Sequence, residues 1–262
     1  MIWALWQDEE HRAATLHLEL DIRKQVPTRA AITHGNGNEK KVLKTFLAPD
    51  TVYLLDCGYA EYTLLDDIIN ARSAFVIRVR DNAAYSILEE KPLTEHDRLA
   101  GVQKDLLATL GCDSKKDDCP HPLRIIQVFH KGDENVRRPS RVSSKKTFRT
   151  RGVDYTFLLA TNLLDVPAET IALLFRRRWQ VELFFRWFKC VLGCHHLVAL
   201  SENGLTIQIY CALIAGMLIT LWTGRKPTRR TFEMITLHFM GWASDEELER
   251  HIEQLKSNEE RS

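Results

Sequence analysis

Acidic charge is missing where the chain is most basic. Between Glu169 and Glu202 there is one acid, Glu182, set among Arg176, Arg177, Arg178, Arg186 and Lys189. The asymmetry is local: 36 Lys and Arg stand against 35 Asp and Glu, a formal net charge of +1. That balance excludes a protein that holds a polyanion by overall charge alone. Cysteine pairing is missing too. The six cysteines, Cys57, Cys112, Cys119, Cys190, Cys194 and Cys211, show no C-x-x-C spacing. Cys190, Cys194, His195 and His196 crowd too closely for the usual two-plus-two tetrahedral zinc set. The opening MIWALWQDEEHR has no basic start and turns acidic at once, unlike a secretory leader. Reduced thiols in a cytoplasm are therefore expected. Long apolar runs are also lacking. IYCALIAGMLITLW has 14 residues where a bilayer span needs about 20, so a buried core helix is expected there.

What is present is a chain of 262 residues, 45% hydrophobic, long enough for a sizeable core in one domain with an insertion or in two small domains. Ile2, Trp3, Leu5 and Trp6 are large apolar groups that are costly to leave in water. ATLHLELDI alternates as a half-buried strand does, TRAAIT is the next strand after Val26 and Pro27, and EKKVLKTFL reads as a short amphipathic helix ended at Pro49. Thr51 to Asp56, TVYLLD, is an apolar β-forming run that finishes on an acid. Such a run suits a parallel sheet buried on both faces, and the C-terminal ends of such strands are where ligands bind. A helix over Tyr62 to Ala71 and a strand over Ala74 to Arg80, AFVIRVR, complete a βαβ unit.

From about residue 83 the rhythm is lost. This region holds the polar GCDSKKDDCP, a strand LRIIQVF and the basic segment Arg137 to Arg151, and reads as an inserted, mostly β subdomain. A buried strand over Tyr155 to Thr161 returns to the first pattern, and Pro167 with Glu169 opens a helix. Later helices are expected over residues 203–222, 231–240 and 244–256, the last with Ser244 and Glu247 as a capping box. The division expected is 1–82 and 153–222 as a core, 83–152 as the insertion and 223–262 as a C-terminal helical region.

The segment FRRRWQVELFFRWFK, Phe175 to Lys189, reads as one helix. Offsets of three, four and seven put Phe175, Arg178, Glu182 and Lys189 on one face. Two readings of Glu182 follow. Arg178 and Arg186 each lie four residues from it, and such pairs contribute about 0.2–0.5 kcal/mol. Alternatively the carboxylate is a metal ligand and the cations beside it face an anionic polymer. Mg2+ takes hard oxygens, often from one or two carboxylates plus substrate phosphates, so Glu182 would need a distant partner such as Asp56. The competing role for Asp56 is to cap the helix that begins near Glu61.

Asp56-Cys57-Gly58-Tyr59-Ala60-Glu61, the spacing F-x2-R-x3-E-x6-K over Phe175, Arg178, Glu182 and Lys189, and the tail WTGRKPTRRTFEMITLHFMGW resemble the DDE transposases of insertion sequences, in the insertion-sequence-four branch. The resemblance covers essentially the whole chain. Phe175 stands where that branch normally has Tyr, and Cys57 where Arg is common. The resemblance implies an α/β, ribonuclease-H-like fold: a mixed sheet with flanking helices and a β-rich subdomain inserted ahead of the last catalytic helix. It also implies three carboxylates holding two Mg2+ ions, for which Mn2+ can substitute, so that water or a 3′-hydroxyl attacks a DNA phosphodiester. Asp56 resembles the second catalytic and metal-binding carboxylate and Glu182 the third. Arg178, Lys189, Arg186 and Arg177 would hold DNA phosphates, which positions the duplex without reading its bases.

The partners so implied are the terminal inverted repeats of an element, target DNA and a second copy of the chain on that DNA, with no membrane, in the nucleoid-associated cytoplasm. In the family the first carboxylate ends a first strand just upstream of a segment like Ile2 to Asp8, and neither Asp8 nor Asp21 matches it. The expectation is thus an N-terminally truncated transposase, lacking that strand and inactive in cleavage by itself. A non-catalytic DNA-binding remnant is the alternative, and an unrelated metal-dependent nuclease on the same fold is a third reading.

Overall fold

The two apolar runs TVYLLD and AFVIRVR lie side by side as parallel strands, and the rest of one half of the protein is assembled around them. The structure, a computed structural model, describes residues 2–7, 13–34, 37–111, 118–132, 154–191, 201–224 and 228–257. The basic segment Arg137 to Arg151, Asp8, Cys112 and the Cys194, His195, His196 group lie outside the described residues. So do the side chains of Ile2, Trp3, Leu5, Trp6, Lys189 and Cys190. Two compact units are formed, Glu39–Arg178 and Met1–Asn38 with Trp179–Ser262.

In the unit Met1–Asn38 with Trp179–Ser262, the strands are β1 (Ile2–Gln7), β2 (Ala13–Asp21) and β3 (Val26–His34). The unit Glu39–Arg178 holds α1 (Glu39–Phe46), β4 (Val52–Leu55), α2 (Tyr62–Asn70), β5 (Ala74–Val79), β6 (Tyr85–Glu90), α3 (Glu95–Leu99), β7 (Val102–Leu110), β8 (Leu123–His130), β9 (Tyr155–Thr161) and α4 (Ala168–Arg177). A single 3-10 turn, Cys57–Tyr59, follows β4. The chain then returns to the first unit with α5 (Trp179–Val191), α6 (Glu202–Thr223), α7 (Arg229–Phe239) and α8 (Asp245–Ser257).

The sheet of the Glu39–Arg178 unit runs β4-β5-β9-β8-β7-β6. β4 and β5 are parallel, with Leu55 opposite Ile77, and β9 pairs antiparallel to β5. Alternation explains why the apolar run of β5 is continuous. Phe75, Ile77 and Val79 pack with Leu64, Leu65 and Ile68 of α2 on one face, whereas Val76 packs with Ala168, Ile171 and Ala172 of α4 on the other. Each Phe, Ile, Leu or Val among them, fully buried, contributes about 1.5–3 kcal/mol. Where β9 runs out, side chains continue the ladder: Thr161 Oγ1 donates to Phe75 O at 2.6 Å, and Asn162 Oδ1 accepts from Phe75 N at 3.0 Å. The expected βαβ unit and the mixed α/β sheet with flanking helices are both present.

The region from residue 83 is β-rich, but its strands do not form a sheet of their own. β8 pairs with β9, β7 with β8 and β6 with β7, so all three extend the sheet that contains β4 and β5. β6, α3 and β7 have no clear sequence signal, and β7 shows why. Its Asp105 and Arg124 of β8, diagonal to it across the strands, are both almost fully buried. Arg124 donates to Asp105 through Nε at 3.1 Å and Nη2 at 2.5 Å. Its Nη1 donates to the carbonyls of Leu163, at 3.1 Å, and of Val166. A charge in the middle of a strand reads as exposed until its partner is known. Here the partner sits one strand away, and the fork also holds the loop that leads into α4.

α4 begins at Pro167, which has no side-chain acceptor for the free N–H groups of the first turn. Asp97 of α3 supplies one. Its Oδ1 accepts from Glu169 N at 2.9 Å, while its Oδ2 accepts from Thr94 N at 2.9 Å and Thr94 Oγ1 at 2.7 Å, closing the capping box of α3. One carboxylate thus caps two helices.

In the unit Met1–Asn38 with Trp179–Ser262, β2 lies between β1 and β3 in an antiparallel sheet. Pro27 is tolerated because β3 is an edge strand, and the register shifts beside it between Glu19 and Leu20. Leu16 and Leu18 pack with Phe184, Phe185 and Phe188 of α5 and with Leu205, Ile209 and Leu213 of α6. The expected burial of α6 holds on that side alone. Ile207, Ile214, Leu218 and Leu221, at helical spacing, are exposed. The helix has 22 residues, enough by length and composition to cross a membrane. The 14-residue apolar core undercounted it because Leu205, Thr206 and Ile207 precede Gln208 and continue the apolar character. α7 and α8 form where expected, and Ser244 with Glu247 makes the predicted reciprocal cap, at 2.9 and 3.2 Å.

The Asp97 carboxyl titrates below the usual range. Burial pushes it up, but hydrogen bonds from Thr94 and Glu169 outweigh that. Its contribution is therefore present above the unfolded value and lost as the pH falls below about 4. Glu169 is shifted the other way by its hydrogen bond to Asp97, so its contribution is lost as the pH rises through its folded value. Asp97→Ala is expected to destabilise the protein by about 1–3 kcal/mol in urea unfolding at about pH 5. The gap to wild type should shrink at about pH 3; an equal gap at both would show that the carboxylate is not the cap.

Candidate active site

β4 delivers Asp56 to the C-terminal edge of the parallel pair, and the 3-10 turn begins there. Asp56 Oδ1 accepts from Cys57 N at 2.7 Å, so the residue caps this turn. It does not cap α2, whose N-cap is Glu61 and carries no side-chain capping bond. The sequence left capping and ligation as alternatives for Asp56. The cap forms on the 3-10 turn and not on the helix near Glu61, and it uses one oxygen, which leaves the other for ligation. Oδ2 faces the guanidinium of Arg178, with Nη1 at 3.6 Å, and the Asp56 side chain keeps 44% exposure against 16% for Arg178. The guanidinium carbon of Arg178 lies over the ring of Phe175, 5.6 Å from its centre. Phe175 packs in turn against Phe157 of β9, with the rings tilted and their centres 5.7 Å apart.

The turn is braced from α1. A Cβ on Gly58 would lie 3.3 Å from Oε1 of Glu39, so the glycine lets that carboxylate lie close to the backbone. The same carboxylate meets the Tyr59 hydroxyl. Burial, and then Glu39, pushes that phenol far above its ordinary value. Lys40 and Glu61 form an ion pair at 2.7 Å, and Lys44 and Asp67 one at 2.6 Å, tying α1 to α2. Neither Glu39 nor Tyr59 was singled out from sequence. The Asp-x-Gly-Tyr pattern marks the turn but says nothing of what packs on it.

One expectation is corrected. Phe175 to Lys189 is not a single helix, because α4 stops at Arg177 and α5 starts at Trp179. Arg178 between them keeps helical torsions, φ −52° and ψ −31°, but its N–H bonds back three residues to Phe175 O at 3.0 Å. That tightening is of the 3-10 kind, and the boundary between the two compact units falls just after it. Asp56, Arg177 and Arg178 belong to the Glu39–Arg178 unit, Arg177 exposed in the last turn of α4. Glu182, in the first turn of α5, and Arg186, exposed on that helix, belong to the other unit. Lys189 lies in α5 as well. Within the Glu39–Arg178 unit, then, the sequence-predicted residues brought together are Asp56 and Arg178.

Asp21 is accounted for by folding alone. Its Oδ1 accepts from Arg23 N at 2.8 Å and Lys24 N at 3.0 Å, closing the turn between β2 and β3. The Lys24 bond, foremost, holds its carboxyl below the ordinary value. Among the described residues no three His, Cys, Asp or Glu side chains gather into a metal-binding group. The donor chemistry at Asp56 nevertheless suits a hard divalent cation. It offers an exposed carboxylate oxygen at a strand end, and hard oxygen is the donor Mg2+ takes, with substrate phosphates filling other positions.

Residues 3–218 match the family described as "Transposase DDE domain". A Sinorhizobium fredii protein named as transposase y4zB is 26% identical over 211 residues, which are 80% of this chain and 53% of that protein. A Geobacillus stearothermophilus protein named as a transposase for insertion sequence element IS5377 is 27% identical over 218 residues, 83% of this chain and 51% of that one. A Synechocystis protein named for element IS4SA is 34% identical over 122 residues, 41% of this chain and 35% of that one. The chain spans about half the length of the first two.

Cys57 offers a direct report on this turn. It is exposed, and its thiol is raised above the ordinary value by burial and then by the Asp56 carboxylate. At a given pH it therefore holds less thiolate than an unperturbed cysteine. Asp56→Asn is expected to speed its alkylation by iodoacetamide and to move the rate-against-pH midpoint down, read by peptide mass spectrometry. An unmoved midpoint would show that the Asp56 charge is not felt there.

Proposed function

The chain belongs to the transposase DDE-domain family, and on that premise we propose that it performs metal-dependent DNA strand cleavage and strand transfer for an insertion element. Asp56 and Glu182 are the metal-holding carboxylates in this reading. The observation that carries it is Asp56 itself: a carboxylate at the C-terminal end of a parallel strand, fixed through one oxygen and open at the other, with an arginine seated beside it. Mg2+, or Mn2+ in its place, supplies Lewis acidity and a deprotonated attacking oxygen when bound.

The residues of the chain do the rest. Asp56 Oδ1 is committed to the turn, so Oδ2 is the ligand atom, and its direction is set by the cap. Arg178 orients the open oxygen from one side, and its planar fork would present donors to a scissile-strand phosphate. Arg177, Arg186 and Lys189 add sequence-independent phosphate contacts. The partners are the terminal inverted repeats and target DNA, with two copies of the chain on the paired ends, in the nucleoid-associated cytoplasm. Residues 83–152 are the family's β insertion and 223–262 its C-terminal helical region.

Mn2+ binding, followed by electron paramagnetic resonance of the free ion, is expected to weaken by about tenfold or more in Asp56→Ala and in Glu182→Ala. Mg2+-dependent nicking of supercoiled plasmid should be lost in either variant. DNA binding that ignores both the metal and the two substitutions would instead identify a non-catalytic DNA-binding protein.

A further inference from the structure

A second planar cation stands at the same sheet edge, outside the motif. Arg78 is on β5 one residue past Ile77, which pairs with Leu55, so it sits beside Asp56 across the parallel strands. Its guanidinium carbon lies 5.5 Å from the ring centre of Phe157 and 5.8 Å from that of Tyr155, both on β9. Tyr155 and Phe157 are 5.7 Å apart, and Phe157 and Phe175 are likewise 5.7 Å apart. The row Tyr155, Phe157, Phe175 therefore carries Arg78 over its first two rings and Arg178 over its last.

The two arginines differ in what they face. Arg178 meets the Asp56 carboxylate. Arg78 has no hydrogen bond or ion pair to a protein group among the described residues, although it is half-buried and fixed by the stacking. A guanidinium laid on aromatic rings is held in one plane and keeps its N–H fork free, with less rotamer freedom to lose on binding than an extended side chain in water. A fork so presented, without a carboxylate of its own, matches two non-bridging oxygens of a phosphodiester.

We infer that Arg78 is a docking point for a DNA backbone phosphate, fixing the strand that approaches Asp56. The inference rests on the proposed function and adds a residue that the motif does not contain. It positions the strand without reading bases, so its loss weakens binding alike on all sequences.

The test is fluorescence anisotropy of the full chain with a short labelled DNA duplex in EDTA over a range of salt concentrations. Arg78→Met, which keeps the stem on the rings, should lower affinity about three- to tenfold and reduce the slope of log affinity against log salt by about 0.9. Arg78→Lys should restore the slope but only part of the affinity, because charge returns without the fork. Arg72→Met, an exposed arginine just ahead of the opposite end of β5, should change neither. An unchanged slope in Arg78→Met, with Arg177→Met lowering it, would overturn the role of Arg78 and leave the proposed function standing. Absence of salt-dependent DNA binding by the wild-type chain would remove both.

Discussion

The constraint on which the Glu39–Arg178 unit depends is the burial of β5 on both faces. A strand with α2 against one side and α4 against the other has no solvated face along Ala74 to Ile77, so those residues are apolar and the charge of Arg78 enters only near the C-terminal end. The parallel pairing with β4 then follows from the α2 crossover, and it sets two strand ends level with one another. Asp56 and Arg78 sit at those ends. Polar groups are absent along the buried length and concentrated where the sheet edge opens, which is where a parallel sheet presents chemistry.

Fixed charges and caps keep this edge in shape. The buried Arg124–Asp105 pair ties β7 to β8 and grips the carbonyls of the loop before α4. Asp97 caps the start of α4, which Pro167 cannot do. At the far end of α4, Phe175 and Arg178 meet β9 and the Asp56 turn. The helix is thus specified at both ends by groups far away in sequence. A single helix through to Lys189 would have satisfied the local pattern equally well.

Family membership and geometry bear on different parts of the functional reading. The match over residues 3–218 says which family the chain belongs to. The turn at Asp56 shows how that carboxylate is held: one oxygen accepts from the backbone and the other faces a guanidinium. The aromatic row beneath it was invisible as a unit, because Tyr155, Phe157 and Phe175 come from a strand and a helix and look like ordinary core residues in the sequence.

The sequence by itself determined the elements with strong periodicity or clear punctuation. TVYLLD, AFVIRVR, LRIIQVF and YTFLLAT are strands, Tyr62 to Asn70 is a helix, and Ser244 with Glu247 caps the last helix, because burial on one or two faces and local hydrogen bonds dictate those patterns without help. It also marked Asp56 and Arg178 as site residues, though it gave Glu182 as the partner of Asp56 and not the arginine. Only the tertiary structure decided the rest. β7 is a strand because Arg124 neutralises Asp105, the run from Phe175 divides at Arg178, and α6 leaves one apolar face exposed. Each of these turns on a partner that is distant in sequence, and no window along the chain contains both halves of such a contact.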